Sequence, residues 1–371
     1  MASEDLKYYL GFSAFPGIGP LRFKLLIKYF GTAQKAWLAS EKDLHKIGLG
    51  EKLTEHFIKF RQDFSLTEYQ KKITDLKINI ITLNDKLYPE LLKEIPGAPF
   101  LLYIRGNIEI LGKLNRTIAV VGTRLITSYG ETVTRQITYD LVSRGFTIVS
   151  GMAYGVDTVA HQTAIDAGGQ TIAVLGCGVD MIHPKSNTTL YWKIIKKYGL
   201  VISEFPVGQF AAKGFFPARN RIISGLSLGT VVTEGAADSG ALITARFALE
   251  QGREVFAVPG PITSSLSKGP TSLLKHGAKL VTEVGDILEE LNIRNIPISK
   301  STNNPINDGK NNLTNEEWKI IELLRNENLH FDDLVRVSKI ESSKLSGILT
   351  ILEIKKLIKN FSDGTIGILT S

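Results

Sequence analysis

Cysteine is almost missing from this chain: there is one, Cys177, in 371 residues. A single thiol excludes an intramolecular disulfide and any cysteine-built metal framework, and it suits a reducing, cytoplasmic setting. Cys177 follows an apolar run, so it reads as a small core residue rather than a nucleophile. Long apolar runs are missing as well. No stretch reaches the roughly 20 residues that span a bilayer, and the opening MASEDLKYYL lacks a basic region followed by an apolar one. Neither a membrane span nor a signal peptide is expected.

Catalytic and nucleotide-binding signatures are also lacking. H-E-x-x-H and the phosphate loop G-x-x-x-x-G-K-[ST] do not occur. The pattern G-x-G-x-x-G fails at its last position, where Met181 follows Gly176 and Gly178. No catalytic residue, metal or cofactor is therefore expected. Acidic excess is absent too: 44 Lys and Arg stand against 37 Asp and Glu, a net charge of +7. That balance is compatible with a polyanionic partner and equally with none.

What the sequence does have is alternation. Apolar, β-branched runs at 118–121, 146–149, 171–175, 200–203, 230–233 and 254–258 are separated by helical stretches at 129–143, 157–167, 188–198 and 242–251. Continuous apolar strands between helices predict a parallel sheet covered on both faces. The fold class expected is α/β, a doubly wound, Rossmann-like sheet. Ligands of such sheets bind where the strand C-termini open into loops. Here those loops are glycine-rich, at 121–124, 150–157 and 176–180. The stretch 203–244 adds Lys213, Phe215 and Phe216, then Pro217-Ala218-Arg219-Asn220-Arg221. Cations beside aromatic rings suit a phosphate chain that carries bases. Asp157 and His161, four apart, share a helix face and read as a capping and packing pair more readily than as a dyad. Glu234 ends a strand, where a carboxylate could act as a base, but no nucleophile is identifiable beside it.

The flanks differ in kind. Phe15-Pro16-Gly17-Ile18-Gly19-Pro20 precedes a helix at 21–30, and a second glycine turn at 47–50 precedes one at 51–64. This reads as a small helical domain whose first turn resembles a helix-hairpin-helix element, for which DNA contact and use in packing or for a partner are both open. Residues 66–76 read as a helix, and 78–83 and 100–104 as strands of a unit packed on the main sheet. Residues 295–312 are polar, with Pro, Asn, Ser and Gly, and read as a flexible linker. Helices at 314–324, 331–337 and 342–352, then strands at 357–361 and 365–369 across Ser362-Asp363-Gly364, make a winged helix. The helix 342–352 has Lys344 as its lone cation, which favours protein contact over a DNA groove. The domains expected are 1–65, 66–293 and 313–371, with 294–312 as linker.

In order along the chain, the motifs resemble the DNA-processing protein A (DprA, or Smf) family. The resemblance runs from Tyr88-Pro89 and Leu102-Tyr103-Ile104-Arg105-Gly106 through Val120-Val121-Gly122-Thr123-Arg124, Tyr129-Gly130 and Ser150-Gly151-Met152-Ala153. It continues through Gly155-Val156-Asp157, His161, Gly168-Gly169 and the run 171–176 to Ser203-Glu204 and 216–227, and ends with Ser239-Gly240, Thr244 and Val258-Pro259-Gly260. It covers 88–291 continuously and the terminal domains more weakly. The resemblance implies a protein without enzymatic activity that binds single-stranded DNA, protects it during natural transformation and loads RecA recombinase onto it. It also implies a homodimer, with 271–281 as a candidate edge, and the small helical (SAM-like) and winged-helix domains. By motif, the pocket arginine falls on Arg124, and the loop lysine and stacking ring fall on Lys213 and Phe216. Gly122, Ser150, Gly151, Arg219 and Asn220 fall on the pocket wall. Phe215 competes with Phe216 as the ring, and Arg219 and Arg221 could brace the crevice without touching DNA. His183-Pro184 stands where the family usually has Tyr-Pro, in a loop expected to lie away from the cations. Two other classes stay open. The segment 229–244 is also similar to that of Rossmann-like nucleotide phosphoribohydrolases, in which a Glu after the strand acts on a ribose. The third is a partner scaffold acting through the winged helix.

Overall fold

The computed structural model describes residues 3–293, 314–324, 328–355, 357–361 and 364–368. They fall into two compact units, Met1–Thr302 and Asn303–Ser371. The linker reading at 295–312 and the turn residues 362–363 lie outside the described residues.

The first unit opens with helices α1 (Ser3–Ala14), α2 (Pro20–Phe30), α3 (Ala33–Leu38), α4 (Glu41–Lys46), α5 (Glu51–Asp63) and α6 (Leu66–Asp75). Side-chain caps start several of them: Thr32, Ser40 and Ser65 each accept the backbone N–H three residues on. Their apolar faces meet in an aromatic core, where Phe12 stacks on Phe57 at 5.3 Å and crosses Trp37 at 5.2 Å. The same core runs into the sheet. Phe23 stacks on Phe100 at 4.0 Å, and the Tyr103 hydroxyl bonds Ser13 at 3.0 Å and Tyr69 at 3.1 Å.

Nine strands follow in one sheet. They are β1 (Asn79–Thr82), β2 (Leu101–Gly106), β3 (Thr117–Val121), β4 (Thr147–Ser150), β5 (Thr171–Val174), β6 (Gly199–Ser203), β7 (Gly229–Val232), β8 (Glu254–Ala257) and β9 (Lys279–Leu280). Between them lie α7 (Glu90–Lys93), α8 (Ser128–Ser143), α9 (Val156–Asp166), α10 (Thr188–Lys193), α11 (Phe215–Gly225), α12 (Gly240–Glu250), α13 (Lys268–Lys275) and, after β9, α14 (Val284–Glu290). The order is β1-β2-β6-β5-β4-β3-β7-β8-β9. From β3 to β9 every pairing is parallel, with Ala119 opposite Thr230 at the β3–β7 seam. At the other edge β1 and β2 pair antiparallel and β2 joins β6 antiparallel, so this leading unit extends the sheet rather than packing on it.

Strand β3 shows why both faces are covered. Its five residues are all buried. Ile118 and Val120 face α8, α9 and α14 through Leu141, Ala160 and Ile287. Ala119 and Val121 face α11 and α12 through Ile222, Ala241 and Ala245. Alternation along a strand splits an apolar run between two layers. The stretch read as one helix at 188–198 closes with a π-helical turn at Ile194–Tyr198.

The second unit has helices α15 (Asn315–Leu324), α16 (Phe331–Ser338) and α17 (Ser342–Ile354). Its strands β10 (Leu329–His330), β11 (Ile358–Asn360) and β12 (Thr365–Ile368) form an antiparallel sheet in the order β10-β12-β11. Ile320, Leu334, Leu345 and Leu352 fill its core. This is a winged helix; β10, only two residues long, was invisible to periodicity.

Candidate nucleic-acid interface

The chain order in the sheet reverses at β3. From there β4, β5 and β6 are laid to one side, and β7, β8 and β9 to the other. Outside the C-terminal ends of β3 and β7 lies a crevice of about 690 Å³, where a doubly wound sheet is expected to hold its ligand. One wall is the turn Gly122–Leu125, a second is the start of α11 with Lys213 before it, and a third is the N-terminus of α12.

The turn after β3 is fixed by its backbone. Thr123 N donates to Glu234 O at 2.7 Å, and Val156 N donates to Thr123 O at 3.1 Å. A Cβ at Gly122 would overlap Val156 and the Glu234 carbonyl, so the close approach requires glycine. The Glu234 carboxylate is buried beneath this turn. It accepts Thr127 N at 2.9 Å and Thr127 Oγ1 at 2.7 Å, and so holds the cap of α8. It is not among the residues that line the crevice. The base that the phosphoribohydrolase reading needs is thus committed to a helix cap.

Arg124 leaves the fixed turn exposed, with its guanidinium 5.4 Å from the Phe216 ring centroid. Lys213 is exposed as well, and neither cation has an ion-pair partner among the described residues. Asp238 is the exposed carboxylate on the far lip. Phe215 and Phe216 belong to the first turn of α11, not to the loop assigned from sequence. Helical geometry sends adjacent side chains about 100° apart. Phe215 stacks on Phe205 at 4.3 Å, whereas Phe216 lines the crevice.

Arg219 and Arg221 are braces. Arg219 is buried, and its Nη1 donates to the Val174 carbonyl at 2.5 Å and to the Gly151 carbonyl. A Cβ at Gly151 would overlap that guanidinium. Burial lowers the Arg219 pKa, while nearby Asp157 opposes the shift. Burial conversely raises Asp157, and Arg219 opposes that. Arg221 pairs with Glu204 at 2.5 Å, and both are mostly covered. Asn220 lines the crevice and reaches Gly240 O at 3.3 Å. Ser150 is wholly buried, donating to Val120 O at 2.7 Å, so it lies under the wall rather than on it.

The remaining titratable candidates are structural. His161 bonds Thr171 Oγ1 through Nδ1 at 2.6 Å, and burial beside Arg219 lowers its pKa to about 3. It is neutral at pH 7. Burial pushes the Cys177 thiol up to about 11. His183 departs from expectation: its ring lies 5.5 Å from Phe216, and it walls a smaller hollow together with Arg124. The loop that was expected to lie apart from the cations folds back onto them. Sequence reading also passed over Tyr154 in that hollow, where the only signal was an aromatic residue inside a glycine-rich turn.

A doubly wound sheet whose switch-point crevice offers unpaired cations and a ring, in a chain that also carries a winged helix, defines a nucleic-acid-handling class. The family described as DNA recombination-mediator protein A matches residues 79–292, and the DprA winged helix domain matches 307–364. The chain belongs to the DNA recombination-mediator protein A family. It is 38% identical to the protein Smf of Synechocystis sp., covering 78% of this chain and 74% of that one. Among solved structures it is similar to DNA processing protein A of Streptococcus pneumoniae, with a TM-score of 0.67 and 35% identity over 77% of this chain and 96% of that one. It is also similar to DNA processing protein A of Helicobacter pylori, a structure described for its single-stranded DNA binding mode. There the TM-score is 0.51, with 29% identity over 57% of this chain and 95% of that one.

Proposed function

We propose that this protein binds single-stranded DNA in the crevice between β3 and β7 and delivers it to RecA recombinase during DNA uptake, in the cytoplasm and as a homodimer. The observation that carries the reading is the pairing of two cations with no ion-pair partner among the described residues, Arg124 and Lys213, with the Phe216 ring at the switch point. Arg124 presents a planar fork to one phosphate, and Lys213 adds a point charge at the next. Phe216 offers a face to a base, which discriminates a single strand from a duplex whose bases are stacked inside. Gly122 and Gly151 shape the wall through the backbone, Ser150 supports it from beneath, and Arg219 and Asn220 hold it in place. The working parts are 1–65, 66–293 and 313–371, joined through 294–312, with DNA capture assigned to the middle one.

A catalytic role is not proposed, because the Glu234 carboxylate is bound to Thr127 and lies outside the crevice lining. Fluorescence anisotropy with labelled poly-dT and with a duplex of equal length, at two salt concentrations, tests the binding step. Salt-sensitive preference for the single strand is expected. Equal binding of both, or of neither, would defeat it. Growth of RecA filaments on strands preloaded with this protein tests delivery, and no acceleration there would restrict the function to protection.

A further inference from the structure

Tyr154 is an aromatic ring that the fold does not use. The residue is 51% exposed, belongs to no hydrophobic core, and its side chain has neither a hydrogen bond nor a ring contact among the described residues. It stands on the turn between β4 and α9, and that turn is rigid. Asn187 Nδ2 donates to Met152 O at 3.0 Å, Ala153 N donates to Asp157 Oδ2 at 3.1 Å, and Thr158 Oγ1 donates to Ala153 O at 2.7 Å. On either side of Ala153-Tyr154, Met152 and Gly155 hold left-handed backbone, with φ of 60° and 69°. Met152 does so with its side chain fully buried, a conformation that persists only where the surroundings impose it. The ring is therefore held out from a fixed backbone.

Tyr154 shares the smaller hollow with Arg124, His183 and Phe216, over a floor that includes Gly176 and the braced Arg219. Phe216 already has Arg124 at 5.4 Å and His183 at 5.5 Å. Arg124 lines both the main crevice and this hollow. Of the other exposed apolar residues nearby, Leu125 has no ring, and Phe210 lines neither cavity.

We propose that Tyr154 is a second base-stacking platform and that the hollow is a subsite for the nucleotide next to the one on Phe216. The ligand class is single-stranded nucleic acid, with Arg124 at the phosphate between the two bases. This rests on the single-strand reading above and adds a nucleotide to it. A ring presented from a fixed turn loses little freedom on stacking.

The test is anisotropy of the full chain with labelled oligo-dT at two salt concentrations, comparing wild type, Tyr154→Ala and Tyr154→Phe. Tyr154→Ala is expected to weaken binding about 5- to 160-fold, the range for one base on one ring. Tyr154→Phe should stay within about twofold of wild type, and neither change should alter the salt slope, because no charge is removed. A second measurement compares wild type and Tyr154→Ala on oligonucleotides with one abasic position. Two adjacent abasic positions should each weaken binding, and the penalty at one of them should vanish in Tyr154→Ala. Wild-type affinity in Tyr154→Ala, equal loss in Tyr154→Phe, or a single sensitive abasic position overturns the second platform while leaving the crevice reading intact. Failure of the wild type to bind single strands overturns both.

Discussion

Lys344, the one cation on α17, donates to Glu316 at 2.5 Å. Its neighbours in the winged helix are similarly engaged: Arg336 with Asp333 at 2.7 Å, Lys355 with Glu317 at 2.8 Å, and Lys319 with the Ser338 carbonyl at 2.7 Å. In the crevice, Arg124 and Lys213 have no carboxylate to answer to among the described residues, and Arg124 lies over a ring instead. What a phosphate meets at these four winged-helix cations is different, since it must first displace an acid or a carbonyl, whereas Lys359 lies 4.4 Å from the Phe361 ring. The crevice also contains the other kind of cation in Arg219, which is spent on two carbonyls. The useful distinction is between committed and uncommitted charge, and it can be broken or sharpened by substitution.

The largest effect is expected from the committed arginine inside the crevice. Arg219→Leu removes the donor to Gly151 and Val174 and leaves Asp157 buried without its counter-charge. Breaking such a buried arrangement from one side costs about 3–5 kcal/mol. Thermal unfolding should register that loss in the absence of any DNA. An unchanged melting curve would return Arg219 to the pool of free cations.

Next comes the uncommitted pair. Arg124→Ala with Lys213→Ala is expected to leave stability within about 0.5 kcal/mol, because both side chains are exposed. The loss falls on binding, where two phosphate contacts together are worth roughly 3–6 kcal/mol. The log–log salt slope should fall by about 1.4, at roughly 0.7 per phosphate on a single strand. A titration superimposable on wild type would mean that the strand runs elsewhere.

How far this distinction could be read in advance follows from the same residues. The strands β1 to β8 were legible within a residue or two, because runs such as 118–121 are apolar on both faces and only a covered parallel sheet accommodates that, whereas the two-residue β9 was not read as a strand. The place of the crevice was legible from the glycine turns and the Lys213–Arg221 block. Three things were not. Phe215 and Phe216 are adjacent, and only the start of α11 decides which one turns to Phe205 and which to the crevice. Arg219 and Arg221 stay open between DNA contact and bracing until α11 turns them inward to the Val174 carbonyl and Glu204. His183 is separated from Phe216 by 33 residues, so its return to the site is a tertiary fact. Commitment of a charge depends on partners far along the chain, and periodicity contains no record of them.

Phe216→Ala separates ring from charge within the crevice. Stacking of one base is worth about 1–3 kcal/mol, so affinity should fall while the salt slope holds. Arg124 loses the ring beneath it in this variant, which makes the slope the decisive readout. A slope that drops as far as in Arg124→Ala would show that Phe216 serves to position the guanidinium rather than to hold a base.

The smallest effect is expected in the winged helix, and it is the most informative about the comparison. Lys344 and Glu316 are 57% and 45% exposed, so their ion pair contributes about 0–1 kcal/mol to stability. Lys344→Ala should therefore change neither melting nor single-strand affinity measurably. Glu316→Gln is the sharper variant, since it frees the lysine without removing it. If commitment to Glu316 is what keeps α17 from attracting phosphate, Glu316→Gln should raise duplex binding at low salt, and Lys344→Ala added to it should cancel the gain. No gain in Glu316→Gln would mean that the face of α17, with Ile351 and Ile354 exposed at its end, is unsuited to DNA whatever its charge. The contrast with the crevice would then rest on surface chemistry, with pairing a secondary effect.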